Sequence, residues 1–238
     1  MKRAFAAIRC DVAVQARHGF YLVSALLAPL LGWLLGLLPA ERLDLGMALP
    51  AAMAFNLLVT PFFFVGALVL LEKAQGSLLA LATSPLRPRE WLASKVVTLT
   101  LLGLAESLAV IAIAFGPGSL TPGLVAGGAI LAVLYVLFGF VTIARYERFN
   151  DWILPAVGVT IVAFLPLLHV FGVATSPAWW LHPAFAPLRL MHEPLGADVW
   201  AWGLAGSAGW LATATWWAHR VYVGATSVRG QTPERALG

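Results

Sequence analysis

Glu106 is the one Asp, Glu, Lys or Arg between Lys95 and Arg145, so its carboxyl is the group in this stretch most able to carry chemistry. A charge at the centre of a membrane costs about 2.5–3.5 kcal/mol on insertion scales, so this carboxyl has to face protein or water. It is either a protonatable or cation-binding group on a translocation path or a hydrogen-bonded carboxyl that bridges helices. Asn56 and His169 also interrupt apolar runs, and the three residues together form a candidate translocation path.

Other kinds of site find little support in the sequence. The run 206–209, Gly-Ser-Ala-Gly, approaches a serine nucleophile motif but lacks its preceding spacing, and His169 would be its only candidate base. The five histidines form no His-x-x-x-His or Glu-x-x-His pair, and the single cysteine, Cys10, excludes an intrachain disulfide and a thiolate cluster. Catalytic and metal-binding residues are therefore not predicted.

The elements that must position these polar residues are membrane spans. Apolar residues make up 61% of the 238 residues and charged residues 11%, which excludes an ordinary soluble domain. A helical span needs about twenty apolar residues. Six runs qualify: 20–38, 47–71, 96–115, 122–144, 152–172 and 199–218.

The predicted fold class is therefore all-α integral membrane, with one six-span transmembrane domain over residues 20–220. The glycines and prolines of residues 116–123 predict a turn. Because that turn divides a charge-free run too long for one crossing, the third and fourth spans are predicted to be antiparallel neighbours.

Lysine and arginine lie mostly in one set of loops. These residues are Lys2, Arg3, Arg9, Arg17, Lys73, Arg87, Arg89, Lys95, Arg145, Arg148, Arg220, Arg229 and Arg235. Only Arg42 and Arg189 fall in the opposite loops. The positive-inside rule then places both termini in the cytoplasm. The basic balance indicates contact with anionic membrane lipids and does not require a nucleic-acid partner.

The first segment outside the spans, residues 1–19, predicts an amphipathic helix. Met1, Phe5, Ile8 and Val12 recur at helical spacing, and cations occupy several of the remaining positions. This pattern is typical of a helix lying in the membrane interface.

Two further segments lie outside the spans. Residues 221–238 form a predicted cytoplasmic tail, and the outer segment 173–198 is rich in aromatic residues and prolines. Its composition favours short re-entrant or interfacial helices between the fifth and sixth spans. Trp179 and Trp180 belong either to an outer gate or to an aromatic belt that anchors the sixth span.

The coupling segment, residues 72–95, is the most distinctive connection. Gly76 permits a turn, leucines then give a short helix an apolar edge, and two prolines end that helix. Trp91 is expected at the membrane interface and Lys95 at the lipid headgroups. Two antiparallel helices can be joined by a handful of residues. A longer segment with exposed leucines therefore predicts a surface for a cytoplasmic partner.

The same segment resembles the permease subunits of type-2 ATP-binding-cassette exporters. Those proteins carry a Glu-x-x-x-Gly-Thr-Leu-like element after the second span, then a Thr-Pro-Leu-like element, then Glu and Lys. The matching positions here are Glu72, Gly76, Ser77, Leu78, Leu81, Ser84, Pro85, Leu86, Glu90 and Lys95. More loosely, the chain looks like the fluoroquinolone export permease branch.

The resemblance implies a coupling helix seated on a separate ATPase. The ATPase-coupling residues would be Glu72, Gly76, Ser77, Leu78, Leu81, Pro85, Leu86 and Glu90. Two ATPase subunits would bind ATP and magnesium, two identical or related permease chains would form the path, and this chain would hold no cofactor. The sequence agrees, because none of its three lysines stands in the Gly-Lys-Ser or Gly-Lys-Thr of a phosphate-binding loop. No ATPase activity of its own is expected.

The function predicted is that of a permease subunit in a prokaryotic plasma membrane, exporting an amphiphilic solute such as a fluoroquinolone drug. Phe55, Phe62, Phe63 and Phe64 would either line an apolar lumen for a flat aromatic solute or face lipid. The main alternative is a secondary transporter driven by an ion gradient, with Glu106 as its coupling site. A purely structural membrane partner is the other alternative.

Overall fold

A computed structural model describes residues 2–39, 43–76, 86–192 and 197–229, and the regular structure of these residues is entirely helical. The α-helices are α1 Lys2–Arg17, α2 Phe20–Gly36, α3 Leu45–Leu57, α4 Phe63–Ala74, α5 Pro88–Phe115, α6 Pro122–Ile143, α7 Phe149–Phe164, α8 Leu167–Val170, α9 Phe185–His192 and α10 Ala197–Arg229. A π-helical turn, Leu58–Phe62, joins α3 to α4, and 3-10 turns lie at Pro117–Ser119 and Pro177–Leu181. The all-α prediction is confirmed for this part of the chain.

Four helical units are long and apolar enough to cross a membrane: Leu45–Ala74, Pro88–Phe115, Pro122–Ile143 and Phe149–Val170. The α1–α2 pair, bent by 65°, provides a fifth if it counts as one span. Helix α10 is long enough, but its tryptophan, glycine and threonine residues make it less apolar than these four. The structure therefore supports a multi-span helical protein with four or five candidate spans, and the count of six stays a prediction.

Helices α5 and α6 form the centre of the bundle. Helix α5 contacts α1, α2, α3 and α10, whereas α6 contacts the π-helical turn and α4, α9 and α10. The two helices contact each other and are joined by the short connection 116–121, where the glycines and prolines predicted a turn. Gly116 ends α5 with a φ of +85°, and the Thr121 hydroxyl accepts a hydrogen bond from the Leu124 N–H at the start of α6.

Two short helical elements follow α8. The composition of the outer segment, residues 173–198, predicted such helices. The first, Pro177–Leu181, has no buried residue, whereas most of α9 is buried against α3, α6 and α10. The His192 imidazole Nδ1 donates to the Gly46 carbonyl at 2.8 Å, which fixes the end of α9 to the start of α3. The outer segment therefore packs into the bundle through its second helix.

Candidate functional site

Lys95 is fully buried, so its prediction as a headgroup-facing cation is wrong. Its ammonium donates to Asp11 Oδ1 at 2.8 Å and to Glu72 Oε1. The Ser94 hydroxyl donates to the other Asp11 oxygen at 2.5 Å. We call Asp11, Glu72, Ser94 and Lys95 the Lys95 cluster. Two buried carboxylates attract the cation more strongly than lipid headgroups in water can, because the protein interior screens charge less.

The Lys95 cluster joins three elements at the base of the coupling segment. Glu72 lies near the end of α4, Lys95 lies near the start of α5, and Asp11 lies in α1. Trp91, also buried rather than interfacial, places its ring centroid 4.9 Å from the Lys95 ammonium, within range for a cation–π contact. The two ends of the coupling segment are therefore linked by an ion pair and tied to the N-terminal helix.

Helix α1 packs on α5 through polar side chains. Asp11 and Gln15 are buried, and the Gln15 amide donates to the Thr98 hydroxyl at 2.8 Å. Of the apolar positions that predict an interfacial helix, Phe5 and Val12 are 63% and 40% exposed and point away from the bundle, while Ile8 is partly buried. Such an orientation suits a helix whose outer side meets lipid and whose inner side meets protein.

The sequence reasoning did not identify Asp11, Gln15 or Ser94 as important. A signal was available, because Asp11 and Gln15 are four residues apart and therefore share one helix face. In α5, the polar residues at 94, 95 and 98 also recur within one turn. A polar face on α1 and a polar face on α5 are therefore expected to pack against each other.

Lys73 provides a fourth connection at this end of the bundle. Its ammonium donates to the carbonyls of Ile143, Ala144 and Tyr146, at 3.3, 2.9 and 2.5 Å. These carbonyls lie at the C-terminus of α6, where backbone acceptors lack intrahelical partners and a cation is favourable. At the end of α4, Glu72 therefore binds Lys95 of α5, and the adjacent Lys73 binds the C-terminus of α6.

The predicted coupling residues divide between described and undescribed parts of the chain. Ser77, Leu78, Leu81 and Pro85 lie outside the described residues. Before them, Gly76 adopts a φ of +68°, which favours glycine. After them, the Glu90 carboxylate accepts from the Arg87 N–H at 2.9 Å and caps the start of α5, just beyond Leu86.

Glu106 lies in a second polar cluster, farther along α5. Its buried carboxyl accepts from the Thr60 hydroxyl at 3.0 Å, and Ser24 of α2 also faces it. The neighbouring Ser107 hydroxyl accepts from the Asn56 amide at 2.8 Å. We call Ser24, Asn56, Thr60, Glu106 and Ser107 the Glu106 cluster. The prediction that Asn56 accompanies Glu106 is matched by this geometry, while their role in transport stays a prediction.

The π-helical turn supplies Thr60 to this cluster. One extra residue in the turn rotates the following helix, and such bulges are frequent at functional sites. Pro61 in the same turn packs against Gly103 of α5 so closely that a Cβ at Gly103 would overlap the proline ring. The absence of a side chain at Gly103 therefore lets the turn approach α5 and brings Thr60 to Glu106.

His169 does not share the contacts of the Glu106 cluster. Its ring packs edge-on against Phe185 of α9, with 4.9 Å between the ring centroids. Ser207, the serine of the nucleophile-like run, donates its hydroxyl to the Gly203 carbonyl of its own helix at 2.7 Å. In the part of the chain that the structure describes, the two side chains therefore have different partners and form no nucleophile–base hydrogen bond with each other.

The two candidate gate tryptophans make different contacts. The Trp179 indole donates to the Ala174 carbonyl at 3.0 Å, within the outer segment. Trp180 packs edge-on against Phe185, with 5.3 Å between centroids, and the Arg189 guanidinium lies 5.0 Å from its ring. Trp180 therefore ties the exposed turn to buried α9. A gating role for either residue stays a prediction.

Of the four phenylalanines predicted to line one lumen or to face lipid, Phe62 and Phe63 contact each other and Trp152, whereas Phe55 and Phe64 pack elsewhere. Phe62 stacks on buried Trp152 with centroids 5.7 Å apart, and Phe64 packs edge-on against Phe20. Phe55 is 53% exposed and stacks on Phe164. These phenylalanine rings therefore contribute to packing between several different pairs of helices.

Comparison with known proteins identifies relatives of one kind. The model of the fluoroquinolones export permease protein family matches residues 2–224. Two proteins from Mycobacterium tuberculosis strains CDC 1551 / Oshkosh and ATCC 25618 / H37Rv, each named a fluoroquinolones export permease protein, are 32% identical over 192 residues. The matched region covers 80% of this chain and 80% of each relative.

Proposed function

The chain belongs to the fluoroquinolones export permease protein family, and from that premise we propose that it is the membrane-spanning subunit of an ATP-binding-cassette exporter. A separate ATPase would bind ATP and Mg²⁺ and dock on the coupling segment at the cytoplasmic face. Two ATPases and two permease chains would form the working unit, with both termini of each permease in the cytoplasm of a prokaryotic cell.

The observation that carries this proposal is the Lys95 cluster. A force applied to the coupling segment reaches its two ends, where Glu72 of α4 and Lys95 of α5 are paired. Asp11 extends the connection to α1, and Lys73 extends it to the end of α6. Closure of the ATPases would therefore move four helices together rather than bend a loop.

The substrate proposed is an amphiphilic solute, with fluoroquinolones as the first candidates. The names of the two mycobacterial relatives support this choice. The apolar interior of the bundle is compatible with a flat aromatic molecule.

The experiment is purification of the tagged full-length chain from its native membrane in mild detergent, followed by identification of co-purifying proteins and an ATPase assay. We expect a stoichiometric ATPase that is lost in Leu78→Asp and Leu81→Asp. Leu181→Asp is the matched control, because Leu181 is an exposed leucine of the outer segment. A stoichiometric ATPase that is retained in both coupling variants would overturn the coupling role.

The Glu106 cluster favours one second candidate, transport driven by an ion gradient. Among the described residues the buried Glu106 carboxyl contacts neutral groups and no cation, so it can take up or release a proton without breaking an ion pair. Glu106→Gln would then abolish transport, and ATP depletion at a maintained gradient would leave wild-type transport intact. The exporter proposal predicts instead that ATP depletion abolishes wild-type transport even when the gradient is maintained.

A further inference from the structure

A groove of about 660 Å³ lies between α5, α6 and α10, and its lining shares no residue with either polar cluster. It is lined by Arg89, Leu92, Ala93, Val96, Val97, Val133, Leu137, Leu211, Ala212, Thr215, Trp216 and His219. Val97 and Trp216 are 42% and 58% exposed, so the groove opens sideways, where a membrane protein meets lipid.

The groove is strongly asymmetric in polarity. Its arginine lies at one end, where Arg89 begins the lining on α5 and His219 ends the lining on α10. Arg220 adds a further positive charge, with its guanidinium 4.9 Å from the Trp216 ring centroid. The residues of the described chain that line the groove include no acid, and the nearby Glu90 carboxylate is engaged in capping α5.

The groove has the length of one leaflet or less. Arg89 to Val97 on α5 and Leu211 to His219 on α10 are nine residues each, or about 12 Å of helix from the first residue to the last. The hydrocarbon of a bilayer is roughly 30 Å thick, so one leaflet contributes about half of that.

We propose that this groove is a binding site for an anionic phospholipid of the cytoplasmic leaflet. One acyl chain lies along Val96, Val133 and Leu211, and the phosphate lies at the cationic end near Arg89 and Arg220. The charge of the mouth selects an anionic headgroup over a zwitterionic one, because each arginine near the surface favours anionic lipid by about fivefold. The site shares Arg89, Leu92 and Ala93 with the end of the coupling segment, but its lining includes neither Glu106 nor any of the predicted ATPase-coupling residues.

The test is native mass spectrometry of the full-length chain in detergent, titrated with dioleoylphosphatidylglycerol or with dioleoylphosphatidylcholine. The two probes share acyl chains and differ in headgroup charge. Wild type should bind phosphatidylglycerol more than about tenfold more tightly, and Arg89→Gln with Arg220→Gln should remove that preference. Ala212→Phe, which fills the groove with a large side chain, should weaken both lipids.

The matched control replaces two exposed arginines elsewhere, Arg145→Gln with Arg148→Gln, and should leave the preference unchanged. Equal affinity of the wild type for both lipids would overturn the proposal. So would an equal loss in the control variant, since the preference would then reflect general surface charge. A groove-filling variant that binds both lipids normally but loses its permease partner would assign the groove to a second chain and also overturn it.

Discussion

Helix α5 contributes residues to two buried clusters that each contain a carboxyl group, and the partners of those carboxyl groups differ. In the Lys95 cluster, near the start of the helix, two carboxylates surround an ammonium group that has no exposed surface. In the Glu106 cluster, eleven residues or about 16 Å farther along, the carboxyl contacts hydroxyl and amide groups. The same helix therefore buries acidic groups once with a counter-charge and once with neutral hydrogen-bonding partners.

The difference in partners predicts different responses to mutation. Removing one member of an ion pair strands the others as buried charges. Replacing a hydrogen-bonded carboxyl by an amide of the same shape preserves most of its contacts.

The largest effect is expected from Lys95→Met, which breaks the Lys95 cluster. Asp11 and Glu72 would be left buried without their cation, at a cost of about 3–5 kcal/mol in unfolding free energy. The measurement is the midpoint of denaturation of the purified chain in detergent, with exposed Arg145→Gln as the control. Adding Asp11→Asn and Glu72→Gln should restore much of the loss. A Lys95→Met protein as stable as wild type would contradict the assigned role of the ion pairs.

A smaller effect is expected from Gly103→Ala, which disturbs the Glu106 cluster through packing. The new Cβ would overlap the Pro61 ring, push the π-helical turn away from α5 and separate Thr60 from Glu106. Overpacking of this kind costs about 1–3 kcal/mol. Gly158→Ala in α7 is the control, because a Cβ there meets nothing within 4 Å. Equal denaturation midpoints for the two variants would show that the close approach is unimportant.

Glu106→Gln sharpens the comparison directly, since it is expected to change the unfolding free energy by less than about 1 kcal/mol. The amide oxygen can still accept from Thr60, and the amide N–H can reach the buried Ser24 hydroxyl. The same denaturation assay measures both variants, and the loss of unfolding free energy in Glu106→Gln is expected to be much smaller than the loss in Lys95→Met. A loss as large as that of Lys95→Met would mean that Glu106 acts as a charged group with a cation partner.

The smallest effect expected is a pH dependence of stability that comes from His182. This histidine lies in the outer segment, outside both clusters. The Ala184 N–H donates to Nδ1 at 3.2 Å, so Nε2 carries the proton donated to the Val162 carbonyl at 3.1 Å. Burial lowers the pKa of His182, and the bond to Val162 opposes part of that shift. A lowered folded-state pKa stabilises the fold above the unfolded value of about 6.5, and this contribution is lost as pH falls through the folded pKa.

Hydrogen exchange over residues 173–192 tests this pH dependence. Protection, corrected for intrinsic exchange rates, should decrease modestly between pH 7.5 and 5.5 in wild type. His182→Gln should reduce that decrease, while His18→Gln, at an exposed histidine of the first connection, should not. An unchanged decrease in His182→Gln would assign the pH response to another group.

Local sequence features predicted the helical class, the hairpin of α5 and α6, and the short helices of the outer segment. Each depends on properties of neighbouring residues, such as runs of apolar side chains or the glycines and proline at 116–118. The pairing of Asn56 with the Glu106 region was also expected, because polar groups at similar depth in a membrane tend to hydrogen-bond to each other. His169 is also a polar residue within an apolar run, yet it packs against Phe185 and not against the Glu106 cluster. An apolar sequence context alone therefore did not decide which polar residues contact each other.

The sequence by itself determined that this chain is a helical membrane protein, because hydrophobic length is a property of contiguous residues. Only the tertiary structure decided that Lys95 turns inward. Its Asp11 partner lies 84 positions away, and a lysine at a helix start can equally extend to headgroups. The tertiary structure likewise decided that α1 packs through Asp11 and Gln15, and that a π-helical turn presents Thr60 to Glu106. These contacts depend on the rotation and approach of whole helices, which are set by packing between distant segments.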